Sequence, residues 1–345
     1  MDFLGLNRRM TAPDEAAVKA AKVHWDGIAK PVGSLGRLEE LVVKIAGIQG
    51  TAAPDIAKRA VLVLCADNGV LKQGVASTPG EITAVMADFI ARKRSAVGIM
   101  AGKAHADVIT VDMGMFRAVD TPGVLMRRIA PGTADMTQGP AMTRAQAEQA
   151  IAAGIALVKD CCEQGYKIIA TGEMGIGNTT TSSAIAAVLT ARDPAETTGR
   201  GAGLTDDGLV RKLTAIRRAI EVSKPDPEDA LDVLSKLGGF DIAGLCGVFL
   251  GGALYRIPVI IDGFISAVSA LCAARLCPNA ANCMLPSHTS AERAAKPVLD
   301  ELRLLPILHA DMRLGEGTGA VALLPLLDMA LAVYDSLMTF SDIGM

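Results

Sequence analysis

A glycine-rich segment at residues 171–181, TGEMGIGNTTT, follows a predicted strand and opens a predicted helix. Glycines let a ligand approach the backbone closely, and a helix N-terminus offers free N–H groups and a positive dipole end. The segment therefore predicts a phosphate site with the carboxylate of Glu173 beside it. Its spacing matches neither the dinucleotide fingerprint nor the Walker loop. An unliganded turn capped by Asn178 is the alternative interpretation.

A second candidate is residues 312–319, MRLGEGTG, in which a carboxylate stands between two glycines. Glu316 could approach a substrate closely there, and the neighbouring Arg313 could change its acidity. These features favour a general base. An ordinary solvated turn remains the alternative.

A third candidate is the loop at residues 199–206, GRGAGLTD, which precedes a predicted helix carrying Arg211 and Lys212. Glycine-rich loops with a basic residue suit a phosphate or a ribose. The alternative is a flexible connection in which Asp206 caps the helix.

Residues 286–292, PSHTSAE, place Ser287 directly before His288. Adjacent residues do not face each other as nucleophile and base, and the strand–turn–helix elbow of serine hydrolases is absent from the sequence. We therefore expect a helix-capping role for a Ser or Thr of this segment rather than a catalytic triad. The other three histidines show no metal-ligand spacing, so no metal site is predicted.

The elements that position these segments follow a recurring order. Short β-branched runs that end near acidic or glycine residues are each followed by an Ala-rich helical stretch, which predicts an α/β fold with a parallel sheet. Ligands of such sheets bind beyond the carboxyl ends of the strands. The predicted strands are residues 60–65, 107–111, 167–170 and 257–261.

Six helices are predicted, and those near the two ends of the chain indicate a smaller helical domain. We expect a large α/β domain at residues 55–310 and a small domain formed by residues 1–54 and 311–345. Residues 143 and 146 form a weak capping box. The predicted helices are residues 13–29, 38–49, 143–163, 207–222, 228–237 and 320–337.

Composition excludes several kinds of partner. The 345 residues include 34 Lys and Arg against 37 Asp and Glu, so no cationic surface for nucleic acid or anionic lipid is expected. With 7 Phe, 1 Trp and 3 Tyr against 15 Met, the core must be aliphatic and sulfur-rich. The 7 cysteines form no CxxC pair, which favours a reduced, cytoplasmic setting. The apolar stretch at 242–255 is shorter than the ~20 residues of a membrane helix, and no signal peptide is recognised.

These segments, together with residues 30–39, 65–70, 235–241 and 262–264, resemble the nicotinate-nucleotide:dimethylbenzimidazole phosphoribosyltransferase (CobT) family over nearly the whole chain. The resemblance implies a Rossmann-like parallel sheet with flanking helices, plus a smaller helical domain from both chain ends. It also implies transfer of 5-phosphoribosyl from nicotinate mononucleotide to the lower-ligand base of a cobamide. The products are an α-linked nucleotide and nicotinate, and the reaction needs no cofactor or metal.

The resemblance assigns roles to individual residues. Glu316 matches the general base, and Glu173 matches a second acidic position. The positions that hold phosphate and ribose are matched by Gly175, Gly177, Asn178, Thr179, Gly201, Lys212, Asp262, Ser290, Arg313, Leu314 and Gly315. Whether Lys212 serves its own site or that of a neighbouring subunit stays open.

The sequence departs from the family pattern at the acceptor pocket. Benzimidazole-selective relatives carry a Ser and, eight residues on, a Gln; here Thr78 and Met86 occupy those positions, and Met174 stands where Leu is frequent. Asn68 replaces a His and should alter the pocket floor. Thioethers make a pocket adaptable, so we expect dimethylbenzimidazole or a phenolic base such as phenol or p-cresol as acceptor.

Two assemblies and two other functions stay open. The resemblance implies a homodimer or a heterodimer with a paralogue. A non-catalytic or weakly active partner subunit of a heteromeric phenol-activating enzyme is the alternative function, and a phosphate-binding sensor is a third possibility.

Overall fold

A six-stranded, entirely parallel sheet lies at the centre of the computed structural model, which describes residues 1–201 and 203–344. Its spatial order β3-β2-β1-β4-β5-β6 is that of a Rossmann fold, which confirms the predicted fold class. Ala202, in the predicted 199–206 loop, and Met345 lie outside the described residues. The strands are β1 (Arg59–Ala66), β2 (Ala106–Gly114), β3 (Val124–Met126), β4 (Ile168–Met174), β5 (Val259–Ile261) and β6 (Met284–Pro286).

Helices cover both faces of this sheet. Alternate residues of β1 point to opposite faces: Leu62 and Leu64 join one buried apolar core, and Val61 and Val63 join another. The helices are α1 (Phe3–Arg9), α2 (Glu15–Gly27), α3 (Arg37–Gln49), α4 (Ile82–Ala91), α5 (Ala96–Lys103), α6 (Arg144–Glu163), α7 (Asn178–Leu189), α8 (Pro194–Thr197), α9 (Asp206–Ser223), α10 (Ala230–Leu237), α11 (Phe240–Tyr255), α12 (Phe264–Leu276), α13 (Ala295–Glu301) and α14 (Thr318–Ser336). Short 3₁₀ turns lie at Gly69–Gln73, Pro278–Cys283 and Ser341–Ile343.

The two ends of the chain pack against each other. The Trp25 ring of α2 meets the Tyr334 ring of α14 edge-on at 5.0 Å, and Ile28 forms a β-bridge with Thr339. These helices share their core with one face of the sheet. The division into two domains at 54/55 and 310/311 stays a prediction.

Helix α14 is long and apolar enough, by length and composition, to cross a membrane. Of its most apolar 18-residue window, 56% is buried inside the fold. Leu323, Leu324 and Leu327 belong to the core beneath the sheet, so α14 packs as a core helix of this chain.

All four predicted strands are present, and β4 is longer than predicted. Its pairing with β1 continues to Cys65 opposite Met174, so Glu173 lies within the strand, and the prediction that Glu173 lies in the turn is wrong. The prediction missed β3 and β6, because three-residue strands carry too little periodicity to be recognised.

The helix caps correct several local predictions. The capping box of Thr143 and Gln146 is present. Thr205, rather than Asp206, caps α9 through its side chain. Helix α13 begins after Ala294 without a side-chain cap, so the capping role expected within residues 286–292 is wrong.

Candidate active site

A cavity of about 330 Å³ opens over the carboxyl ends of β4, β5 and β6, beside the switch point between β1 and β4 where strand order reverses. This volume lies within the range of small-molecule sites. Fifteen of the sixteen predicted site residues line it: Thr78, Met86, Glu173, Met174, Gly175, Gly177, Asn178, Thr179, Gly201, Asp262, Ser290, Arg313, Leu314, Gly315 and Glu316. The sixteenth, Lys212, lies directly behind the wall.

Glu316 occupies a tight turn that holds its carboxylate against the cavity. Gly315, Glu316 and Gly317 all have positive φ, of 83°, 61° and 98°, and this conformation is costly for the non-glycine Glu316. Oε2 of Glu316 accepts the backbone N–H of Val97 at 3.3 Å, at the start of α5. Burial raises the pKa of Glu316 above its usual value, while the bonds from Val97 and Ser95 oppose that rise. Arg313 is exposed, so burial rather than Arg313 governs the acidity of Glu316.

Asp262, directly after β5, holds this turn in place. Its Oδ1 accepts the backbone N–H groups of Gly319 at 2.7 Å and Ala320 at 3.0 Å, and its Oδ2 accepts that of Gly317 at 3.2 Å. Asp262 therefore caps α14 through its side chain from another part of the chain. The cap fixes the position of Glu316 relative to the sheet.

Glu173 is buried at the end of β4, where the side chain of Asn178 meets it. Nδ2 of Asn178 donates one hydrogen bond to Oε2 of Glu173 and a second, of 2.9 Å, to Oδ2 of Asp241. Burial, followed by the negative charge of Asp241, raises the pKa of Glu173 to about 8. The residue preceding α7 is Gly177, with φ of 94° and no side-chain cap, so the interpretation of Asn178 as a helix cap is wrong.

The phosphate-binding residues predicted at 175–179 meet those predicted near 200. Nζ of Lys212 donates to Oγ1 of Thr179 at 2.9 Å and to the carbonyl of Gly199 at 3.1 Å. A Cβ at Gly201 would lie 2.9 Å from the Thr179 hydroxyl, so only glycine allows this approach. Burial lowers the pKa of Lys212 to about 8, so the side chain is protonated at neutral pH. Together with the N-terminus of α7, these groups form a site suited to an anion.

One wall of the cavity is largely apolar. Met86 and Met174 are half-buried there, Ile82 and Ile176 lie beside them, and Thr78 is exposed at the rim. This surface suits a flat, apolar ring without aromatic stacking. Asn68 is buried and does not itself line the cavity, but it packs against Gly177, which does, so the prediction that Asn68 alters the pocket floor stays a prediction.

Sequence reasoning missed two titratable residues of the cavity, His288 and Glu292. Ser287 donates its hydroxyl hydrogen to the carbonyl of Ile261 at 2.6 Å, and its oxygen lies 3.0 Å from Nδ1 of His288. Ser287 therefore orients the imidazole and is no nucleophile. The sequence signal that could have identified His288 and Glu292 is their position shortly after β6, a strand that the sequence analysis did not predict.

The fold and cavity define an α/β enzyme in which groups suited to an anion lie next to buried carboxylates. A family model described as phosphoribosyltransferase matches residues 10–345. A relative from Chloroflexus aggregans named nicotinate-nucleotide–dimethylbenzimidazole phosphoribosyltransferase is 48% identical over 96% of this chain and 94% of its own length. A relative of the same name from Ruminiclostridium cellulolyticum is 46% identical over 94% and 92%. The crystal structure of CobT from Thermus thermophilus superposes with a TM-score of 0.91 at 36% identity, covering 96% of this chain and 99% of that one. The chain belongs to the nicotinate-nucleotide–dimethylbenzimidazole phosphoribosyltransferase family.

Proposed function

We propose that this chain transfers 5-phosphoribosyl from nicotinate mononucleotide to dimethylbenzimidazole or to a phenolic base, giving an α-linked nucleotide and nicotinate. One observation carries the proposal: a single cavity is lined by Thr179, which accepts a hydrogen bond from Lys212 behind the wall, by the carboxylate of Glu316 and by the apolar side chains of Met86 and Met174. The groups at Thr179 suit a phosphate, the carboxylate of Glu316 suits a reacting centre, and the apolar wall suits an aromatic acceptor.

The phosphate of the donor binds at the N-terminus of α7. The backbone at Gly175 and Gly177, the hydroxyl of Thr179 and the ammonium group of Lys212 supply positive charge and hydrogen-bond donors. Holding the phosphate there fixes the ribose for in-line attack, a positioning effect that lowers the entropic part of the barrier.

The residues predicted around the ribose also line this cavity. They are Ser290, Arg313, Leu314 and Gly315, which line the cavity together with Asp262. Because the carboxylate of Asp262 accepts three backbone N–H groups of the Glu316 turn, we assign it mainly to holding that turn.

The reaction is a displacement at the anomeric carbon. A nitrogen or oxygen of the acceptor forms the new bond, the bond to the pyridinium nitrogen breaks, and its electron pair leaves with nicotinate. Glu316 takes the proton of the acceptor. Its raised pKa makes Glu316 a stronger base than an exposed glutamate. The leaving nitrogen already carries a positive charge, so no acid is needed on that side.

The acceptor wall supports a broader choice of base. Thr78 and Met86 provide a methyl group and a thioether, and Met174 adds a second thioether. An apolar, polarisable wall accepts a phenol ring as well as a benzimidazole. A phenol has a pKa near 10, so Glu316 removes its proton with more difficulty than that of an azole acceptor.

We further propose that the enzyme works in the cytoplasm as a homodimer or as a heterodimer with a paralogue. Apolar side chains exposed on α4 and after β2, Val85, Phe89 and Phe116, support a subunit contact. The intact anion site and Glu316 favour a catalytic chain over a non-catalytic partner subunit.

The decisive experiment incubates the purified chain alone with nicotinate mononucleotide and a mixture of dimethylbenzimidazole, phenol and p-cresol, with products identified by mass spectrometry. We expect nicotinate release and α-ribotides of both base classes. Glu316→Gln should lower kcat by roughly 100-fold to 10,000-fold, whereas the exposed control Glu163→Gln should not. No nicotinate release without a second chain would favour the partner-subunit function, and ribotides of dimethylbenzimidazole alone would exclude phenol activation.

A further inference from the structure

The segment at residues 235–241 carries a buried carboxyl group that no part of the proposed mechanism uses. Asp241 lies in the first turn of α11, is fully buried and does not line the cavity. Its Oδ2 accepts a hydrogen bond from Asn178, and its Oδ1 has no hydrogen-bond partner among the described residues. A buried carboxyl group with an incomplete set of bonds is costly, so its position calls for a functional reason.

The close packing around Asp241 leaves little freedom for it to move. A Cβ at Gly239 would collide with Oδ1 of Asp241 and with Oδ1 of Asn68. On the other side, a Cβ at Gly175 would lie 2.8 Å from Oδ2 of Asp241. Two glycines from separate segments therefore make room for this carboxyl group, and larger residues at either position would displace it.

Asn178 connects Asp241 to the cavity. The amide of Asn178 has two N–H groups, and both are used: one on Asp241 and one on Oε2 of Glu173. The bond to Asp241 therefore sets the orientation of the amide, and the amide sets the position of Glu173. The other oxygen of Glu173, Oε1, packs against Gly315. A Cβ added at Gly315 would lie only 2.6 Å from this oxygen.

The charges of the two carboxyl groups are coupled by this arrangement. Burial raises the pKa of Asp241 to about 6, while the hydrogen bond from Asn178 and the backbone N–H groups in the N-terminal turn of α11 oppose that rise, so Asp241 loses its proton before Glu173 does. No ion pair to Glu173 or Asp241 is found within residues 1–201 and 203–344. Two adjacent buried carboxyl groups without a cation cannot both be ionised at low cost. The proton therefore resides on Glu173, and since Oε2 accepts from Asn178, Oε1 carries it.

We propose that Asp241 is a positioning residue which, through Asn178, keeps Glu173 protonated and aims its Oε1–H at an oxygen of the bound nucleotide. The inference rests on the proposed phosphoribosyl transfer, because the nucleotide is the acceptor of that hydrogen bond. It assigns opposite proton states to the two catalytic carboxyl groups: Glu316 accepts a proton, and Glu173 donates a hydrogen bond.

The test compares kcat/KM for nicotinate mononucleotide against pH in the wild type and in Asp241→Asn. The wild type should lose activity on the alkaline side near pH 8, where Glu173 loses its proton. Asp241→Asn keeps an acceptor for Asn178 but removes the charge, so the alkaline limb should move down by about one pH unit. Asp112→Asn removes another buried carboxylate, outside the cavity, and should leave the limb in place. Lys212 also loses its charge near pH 8. Because burial rather than Asp241 lowers the pKa of Lys212, the contribution of Lys212 to the alkaline limb should not move in Asp241→Asn.

A folded Asp241→Asn variant with an unmoved alkaline limb overturns the inference. If that variant does not fold, infrared difference spectra of the wild type and Glu173→Gln at pH 7 give the answer without turnover. A protonated carboxyl band that disappears in Glu173→Gln supports the inference, and its absence overturns it. A wild type that releases no nicotinate refutes the proposed function instead, and the infrared measurement still tests the proton on Glu173.

Discussion

Oδ1 of Asp262 accepts the backbone N–H of Gly319 at 2.7 Å, which ties the end of β5 to the first turn of α14. Glu316 lies in the turn immediately before this helix. The carboxylate of Asp262 thus joins the sheet, which organises the anion site, to the turn that carries the proposed base. The distance between the proposed nucleotide site and Glu316 depends on this cap.

Asp262→Asn should weaken both the fold and the chemistry. The new amide hydrogens would face backbone N–H groups, leaving a buried donor unpaired at a cost of about 1–3 kcal/mol. We expect a lower Tm and a decrease in kcat of roughly 10-fold to 100-fold, because small displacements of a catalytic group are costly. Asp335→Asn, on the far turn of α14, should change neither value. A large loss of Tm with an unchanged kcat would show that Asp262 does not position Glu316.

Lys212→Met should act on nucleotide binding. Removal of the charge-assisted hydrogen bond from Lys212 to Thr179, together with the positive charge behind the phosphate, costs about 1.5–3 kcal/mol, so KM for nicotinate mononucleotide should rise roughly 10-fold to 100-fold. In the wild type, KM should also rise above about pH 8, where Lys212 loses its proton. Initial-rate kinetics across pH test both statements. Lys159→Met is the exposed control, and an unchanged KM in Lys212→Met would remove Lys212 from the anion site.

The double variant Thr78→Ser, Met86→Gln should change the preference between bases. A Gln amide restores a polar contact to an azole nitrogen and removes an apolar contact to a phenol ring. One neutral hydrogen bond contributes about 0.5–1.5 kcal/mol, so the ratio of kcat/KM for dimethylbenzimidazole to that for phenol should rise roughly 3-fold to 10-fold. Met329→Gln, the same kind of substitution at an exposed position of α14 outside the cavity, is the matched control. An unaltered ratio would place the selectivity elsewhere.

Glu173 should make stability depend on pH. Its pKa rises from 4.5 to about 8 on folding, so between these values the folded chain holds a proton that the unfolded chain has lost. Unfolding then releases a proton, and the free energy of unfolding falls as pH rises from about 5 to about 8. Glu173→Gln removes this contribution, which amounts to about 1.4 kcal/mol per pH unit within that window.

Urea denaturation at pH 5, 6, 7 and 8 measures the effect. The free energy of unfolding of Glu173→Gln should depend less on pH than that of the wild type, and the exposed control Glu163→Gln should run parallel to the wild type. Equal slopes for Glu173→Gln and the wild type would contradict the raised pKa.

The sequence by itself determined the parallel α/β fold and most of the cavity lining. The fold and the two segments around Glu173 and Glu316 depend on local signals, namely β-branched runs before Ala-rich stretches and glycines beside each carboxylate, whereas Thr78, Met86, Asp262 and Ser290 were assigned only by the family resemblance. Glycine spacing indicates where a backbone turns or a ligand approaches closely, and that information is local in the sequence. Short strands such as β3 and β6 carry no such signal and were missed.

Only the tertiary structure decided what the polar side chains do. Asn178 bonds to Asp241 across 63 residues, Asp262 caps α14 across 57, and Lys212 reaches Thr179 across 33. Such partners cannot be recognised from neighbouring residues, and the proton state of a carboxyl group depends on them. The sequence therefore indicates that Glu173 and Glu316 are functional, whereas their burial and long-range contacts determine which one holds a proton and which one accepts it.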